Sequence, residues 1–158
     1  MTVTNITAKP AATAGEPEAG LLDALRRTET AVAAMRSGDP EPYIACWAER
    51  EDATLFGAWG PIEKGSRALF DTFRWVGSRY AGDRSPVKAT VENTVIASSG
   101  DLAYTVGFER GTVGVDGGRK QEMVIRVTHI YRREHDAWKL IHRHADFPPP
   151  DQRQSKHH

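Results

Sequence analysis

Between Ala137 and Asp146 the chain alternates, and its even positions change character along the run: Trp138 and Leu140 are apolar, whereas His142, His144 and Asp146 can move protons. Imidazole titrates near neutrality, so either histidine can serve as general base or acid, and a neighbouring carboxylate can fix its tautomer. On an extended strand two such residues share a face roughly 7 Å apart, too far for contact but close enough to flank one ligand. The chemistry on offer is proton transfer with His144 as acid or base, Asp146 orienting it and His142 as a second group. The alternative is structural: polar groups at the open end of a sheet, bonded to backbone or water. With His129 these residues also raise a metal site, but side chains two apart on one strand do not converge on a point, and no metal is expected.

The strands that must position these groups follow three helical stretches. Leu21, Leu25, Thr28, Val32 and Met35 form the stripe of an amphipathic helix that Ser37-Gly38 stops. Asp39-Pro40 opens a short second helix burying Tyr43, Ile44 and Trp47. Ala53 to Trp59 reads as a strand, Gly60-Pro61 as a turn and Glu63 as a loop carboxylate, before a third helix with the stripe Leu69, Phe70, Phe73, Val76 and Tyr80. From Val87 the period switches to two through four strands joined as a meander. Helices first and an antiparallel sheet afterwards predicts an α+β domain over residues 21–147, with 1–20 and 148–158 as disordered tails.

Pairing Arg132 with Ala137 puts Tyr131, His129, Val127, Ile125 and Met123 on one face with Trp138, Leu140, His142, His144 and Asp146. The same parity adds Tyr104, Val106, Phe108 and Arg110 to this face and sends Glu109 to the other, across from Arg126. The first face is then the concave, ligand-facing one. Tyr43, Trp47, Trp59, Phe73, Tyr104 and Phe108 are its candidate walls, Arg110 a candidate anchor for an anion or a partner of Asp146, and His129 either a wall or a core histidine bonded internally.

Composition bounds the partners. At 39% hydrophobic, the 158 residues can bury one core, and 21 basic against 21 acidic side chains leave no basic stripe for nucleic acid. The single cysteine, Cys46, excludes an internal disulfide. There is no apolar run of bilayer length and no signal-like start, which points to the cytoplasm and away from membranes.

The order of elements, together with "SGDPEPYIACWAE", "GPIEKGSRALFDTF" and the closing "RVTHIYRREHDAWKLIHRHAD", resembles the nuclear transport factor 2-like superfamily, and within it the SnoaL-like, ketosteroid-isomerase-like branch. The resemblance implies a cone: a curved antiparallel sheet wrapped on three N-terminal helices around an apolar pocket, often paired as a homodimer through the outer sheet face. Steroid isomerases of this fold carry a general-base aspartate in the strand after the second helix. Here that strand reads Leu55-Phe56-Gly57-Ala58-Trp59, so a classical steroid isomerase is not expected.

Two functions compete at this point, with a stress-associated accessory protein whose pocket is vestigial as a third reading. One is an enzyme moving protons on a small apolar or aromatic metabolite without a cofactor, by isomerisation, cyclisation or dehydration, with Tyr104 or Trp59 donating to an oxyanion. The other is a ligand-binding or dimerisation module that performs no chemistry. For the homodimer, the expected contact face carries Glu109, Arg126, Lys139 and Ile141.

Overall fold

The computed structural model describes residues 18–82 and 87–149. Most of both expected tails lies outside the described residues, while Ala19 and Gly20 belong to the first helix. The elements in chain order are α1 (Ala19–Arg36), α2 (Glu41–Ala45), β1 (Thr54–Phe56), β2 (Ile62–Lys64), α3 (Ser66–Tyr80), β3 (Ala89–Ser99), β4 (Leu102–Val113), β5 (Gln121–Glu134) and β6 (Ala137–Asp146). Among the described residues no helix is long and apolar enough to cross a membrane.

The helices form where their apolar positions recur at helical spacing and stop where backbone chemistry stops them. In α1 the buried positions are Leu21, Ala24, Thr28, Ala31, Val32, Met35 and Arg36, a stripe with a cation at its end. Gly38 then takes φ 93°, and a β-carbon there would stand 2.8 Å from the Ala81 α-carbon, so the reversal needs glycine for both conformation and space. Asp39 Oδ1 accepts the Glu41 N–H and Pro40 leads into α2, as the Asp-Pro pair predicts. The segment of Glu63 is strand β2, paired with β1, and not a loop.

The sheet order is β2-β1-β6-β5-β4-β3. Neighbours are antiparallel except β1 and β6, which run parallel. The helices pack on one face. There Leu21, Leu69 and Leu140 have no solvent exposure, and Tyr131 donates to Thr28 Oγ1 at 2.9 Å, tying the sheet to α1.

Two irregularities decide which side chains face the helices. On β3 the register with β4 slips between Asn93 and Val95, and Gly107 lies opposite Asn93. A β-carbon at Gly107 would sit 2.0 Å from the Glu92 carbonyl oxygen, so glycine lets the two strands close at this bend. On β6 the register with β5 slips between His142, opposite Ile130, and Leu140, opposite Tyr131, leaving Ile141 as the extra residue. At that point β6 also changes partners on its other edge. Leu140 exchanges backbone hydrogen bonds with Cys46 and Ala48, both at 2.9 Å, whereas from His142 onward the edge pairs with β1.

Expected inward and outward sets are corrected accordingly. Met123, Ile125, Val127, His129, Tyr131, Trp138 and Leu140 do face the helices and are buried. On β4, however, the inner set is Ala103, Thr105, Gly107 and Glu109, while Tyr104, Val106, Phe108 and Arg110 lie on the outer face. The parity carried through the Gly117-Gly118 turn is off by one residue: Phe108, not Glu109, lies opposite Arg126, and that single step exchanges the two faces of β4. Substituting Gly107→Ala is expected to lower stability by about 2–4 kcal/mol, read as a lower urea midpoint, because backbone must move to admit the methyl. An unchanged midpoint would show that the β3 bend does not depend on this approach.

Candidate functional site

The bulge at Ile141 reverses the end of β6. Arg143 and Ala145 turn inward, and His142, His144 and Asp146 turn to the outer face, which corrects their expected position around an interior pocket. Each has an outer-face neighbour. His142 Nδ1 lies 2.7 Å from Thr54 Oγ1, and burial together with His144 pushes its pKa below an imidazole's ordinary value. His144 is exposed and meets the Phe56 ring edge-on at 5.3 Å. Asp146 accepts two 2.6 Å hydrogen bonds from Arg126 Nε and Nη2, which hold its carboxyl below the usual range. Arg110 bonds Glu92 at 3.3 Å and covers the Phe108 ring, so it neither enters an interior pocket nor pairs with Asp146. Tyr104 is exposed on this same face. Among the described residues no three His, Cys, Asp or Glu side chains converge where a metal ion could sit.

The interior pocket is built from other residues. Val32, Met35 and Arg36 come from α1, Tyr43 from α2, Trp59 from the segment after β1, Phe73, Val76 and Tyr80 from α3, and Glu109, Ile125 and Arg143 from the sheet. They enclose a cavity of about 70 Å³. Of the expected wall residues, Tyr43, Trp59 and Phe73 line this cavity. Trp47 lies behind them, packed on Tyr43 and Phe73, with its indole N–H lacking an acceptor among the described residues. Outside the wall, Arg79 stacks 4.0 Å over Trp59 and pairs with Asp116 at 2.8 Å.

A buried ion cluster forms the polar floor. Glu109 is 2% exposed and accepts from Arg143 Nη1 at 2.5 Å and Nη2 at 2.9 Å, a two-pronged pairing that suits a planar guanidinium. Burial alone would raise the Glu109 carboxyl, but the charge and hydrogen bonds of Arg143 outweigh it and hold the group at about 2. Arg143 Nη1 also lies 3.1 Å from His129 Nε2 and 3.4 Å from Tyr43 Oη. A guanidinium only donates, so His129 presents the Nε2 lone pair to Arg143, and the Tyr43 hydroxyl, 2.9 Å away, shares that single acceptor site. The ring is therefore neutral. Burial, reinforced by Arg143, pushes His129 down to about 3. Burial likewise raises Tyr80 to about 12.

Glu109, Arg143, Arg36 and Tyr80 are the site residues that sequence reasoning missed. Arg36 carried a legible signal, since it stands four residues after Val32 and eight after Thr28, on the apolar stripe itself. Glu109 shares its parity with the small residues Ala103, Thr105 and Gly107, a pattern of close packing. Arg143 carried none, because its direction depends on the bulge.

His129 gives the site a pH signature. Its folded pKa lies below the value of about 6.5 in an unfolded chain, so unfolding takes up a proton as pH falls. The stability contributed by the neutral ring is complete above about pH 6.5 and is lost on acidification toward pH 3. Between about pH 6 and pH 4 the wild type should lose roughly 1.4 kcal/mol per pH unit more than His129→Gln in urea denaturation. Parallel pH profiles of the two proteins would contradict the neutral buried ring.

Comparison with known proteins places this geometry. The SnoaL-like domain family matches residues 27–150. No curated protein matches the chain in sequence. Among solved structures, a nuclear transport factor 2-like superfamily protein from Salmonella enterica serovar Typhimurium superposes with a TM-score of 0.67 at 13% identity, over 87% of this chain and 92% of that one. A nuclear transport factor 2-like protein of unknown function from Pseudomonas putida gives 0.63 at 23% identity, over 81% and 84%. A protein of unknown function with a cystatin-like fold from Nostoc punctiforme gives 0.61 at 22% identity, over 83% and 90%. Likeness at these identities speaks for the fold, that of nuclear transport factor 2-like proteins, and the match over residues 27–150 adds the lineage: the chain belongs to the SnoaL-like domain family.

Proposed function

We propose that the chain is a binding module that holds a small molecule in its interior pocket, and that it does not move protons with His142, His144 and Asp146. The observation that carries this reading is the bulge at Ile141, which turns those three groups to the outer face and sends Arg143 inward. The ionisable groups that remain inside are poor proton shuttles. A general base or acid works best with a pKa near the working pH, whereas Glu109 is held at about 2, His129 at about 3 and Tyr80 at about 12. The aromatic and aliphatic walls favour an apolar ligand portion, as the sequence suggested, but the size of the cavity restricts it to a few atoms.

An NMR screen of fragments with up to about six non-hydrogen atoms tests this. Shifts should concentrate on the Trp59 indole and on the Val76 and Ile125 methyls, and should persist in His144→Ala. Shifts confined to His142, His144 and Phe56, or turnover that His144→Ala abolishes, would overturn the reading.

A second copy of the chain is the partner we assign to the outer sheet face. Supporting it, Leu102 is 51% exposed and Tyr104, Val106 and Val95 also face solvent there, a bulkier set than β4 presents to its own core. An isologous contact sets a patch against itself and so favours a patch without net charge. On this face Arg126 is matched by Asp146 and Arg110 by Glu92. Glu109 and Ile141 do not belong to that surface as expected, being buried and in the bulge, and Lys139 reaches the Ala45 carbonyl at 2.9 Å. Sedimentation velocity should give a dimer for the wild type and a monomer for Val106→Glu; a wild-type monomer at all concentrations would refute the assignment.

A further inference from the structure

The Arg36 side chain is 2% exposed, lines the cavity, and has no hydrogen-bond acceptor for either Nη1 or Nη2 among the described residues. Its one nearby carboxylate oxygen, Glu109 Oε2, is 3.7 Å from Nη2, beyond hydrogen-bond length, because both Glu109 oxygens are drawn to Arg143. The fork of Arg36 is therefore buried with its donors unspent, an arrangement that is costly unless something accepts from it. The carbonyl ends at the C-terminus of α1 favour a cation there but do not hydrogen-bond it.

We propose, building on the binding reading above, that the interior pocket recognises a small monocarboxylate, with its two oxygens accepting from Arg36 Nη1 and Nη2. Four features of the site converge on this class. Arg36 and Arg143 against Glu109 leave one positive charge in excess, since His129 is neutral, so one negative charge balances the pocket and two would repel Glu109. A carboxylate matches a guanidinium fork in shape. The Tyr80 hydroxyl, which also lines the pocket, donates only to the Met123 sulfur at 3.7 Å, a weak acceptor that an oxygen would displace. Finally, about 70 Å³ is roughly half of the ~150 Å³ that holds a benzene, which suits a two- or three-carbon acid whose alkyl end lies against Val76 and Trp59.

The test uses the full chain at constant ionic strength in chloride, with acetate and propionate as probes, propionamide as the neutral isostere and inorganic phosphate as the competing anion. Binding is followed by calorimetry and by thermal midpoint. Propionate should bind saturably, propionamide roughly ten- to hundredfold more weakly, and Arg36→Met should weaken propionate by a similar factor. Arg36→Met leaves the Arg143–Glu109 pair in place, and its midpoint without carboxylate should equal or exceed that of the wild type. Equal affinity for propionate and propionamide, propionate binding that survives Arg36→Met, or phosphate binding more tightly than propionate would each overturn the proposal. Should neutral fragments still shift Trp59, Val76 and Ile125 in those cases, the binding reading stands and only the carboxylate assignment falls.

Discussion

A carboxylate withdrawn from water into an apolar interior stays ionised only if a cation comes with it, and Glu109 meets that condition through Arg143. The two residues come from strands that are not neighbours, since β5 lies between β4 and β6. Their pairing across β5 requires that the regular β4–β5 register point Glu109 inward and that the Ile141 bulge turn Arg143 inward on the other side. Removing Glu109 would leave Arg36 and Arg143 buried without a counter-charge, and breaking a buried pair in this way typically costs about 3–5 kcal/mol. The bulge and the ion pair are thus parts of one arrangement.

From that pair the rest of the pocket follows. Arg143 lies within hydrogen-bond reach of Glu109, His129 and Tyr43 together, so the histidine stands as a neutral acceptor beside it. Glu109 is drawn toward Arg143, and Arg36 stays 3.7 Å from the same carboxylate with no hydrogen-bonded partner for Nη1 or Nη2 among the described residues. Within this cluster the Arg36 fork keeps two buried donors without acceptors, turned toward the cavity. Such an arrangement suits recognition of a ligand better than proton transfer, which needs groups able to change charge near the working pH.

The helices, their stripes and the meander were legible because they rest on local periodicity, and the walls Tyr43, Trp59 and Phe73 followed from them. The inner faces of β4 and β6 were not legible, for two distinct physical reasons. On β4 the faces depend on the turn to β5, where a one-residue change in pairing exchanges them, and the outer set, Leu102, Tyr104, Val106 and Phe108, is more apolar than the inner set, so composition did not flag the slip. On β6 a one-residue bulge inverts every later side chain, and the alternation of Ala137 to Asp146 carries no mark of it. What selects the bulge is tertiary: the edge of β6 pairs with the Cys46–Ala48 segment at Leu140 and with β1 from His142 onward. His142, His144 and Asp146 therefore looked like a site only so long as the strand was taken as regular.

The buried pair of Glu109 and Arg143 is tested most directly by following the Glu109 side-chain carboxyl carbon by NMR as pH is lowered. This account requires the signal to keep its ionised position throughout the pH range in which the protein stays folded, consistent with a pKa of about 2. A titration of that carbon in the folded protein between about pH 4 and pH 7, where unpaired or merely buried carboxyls ionise, would contradict it.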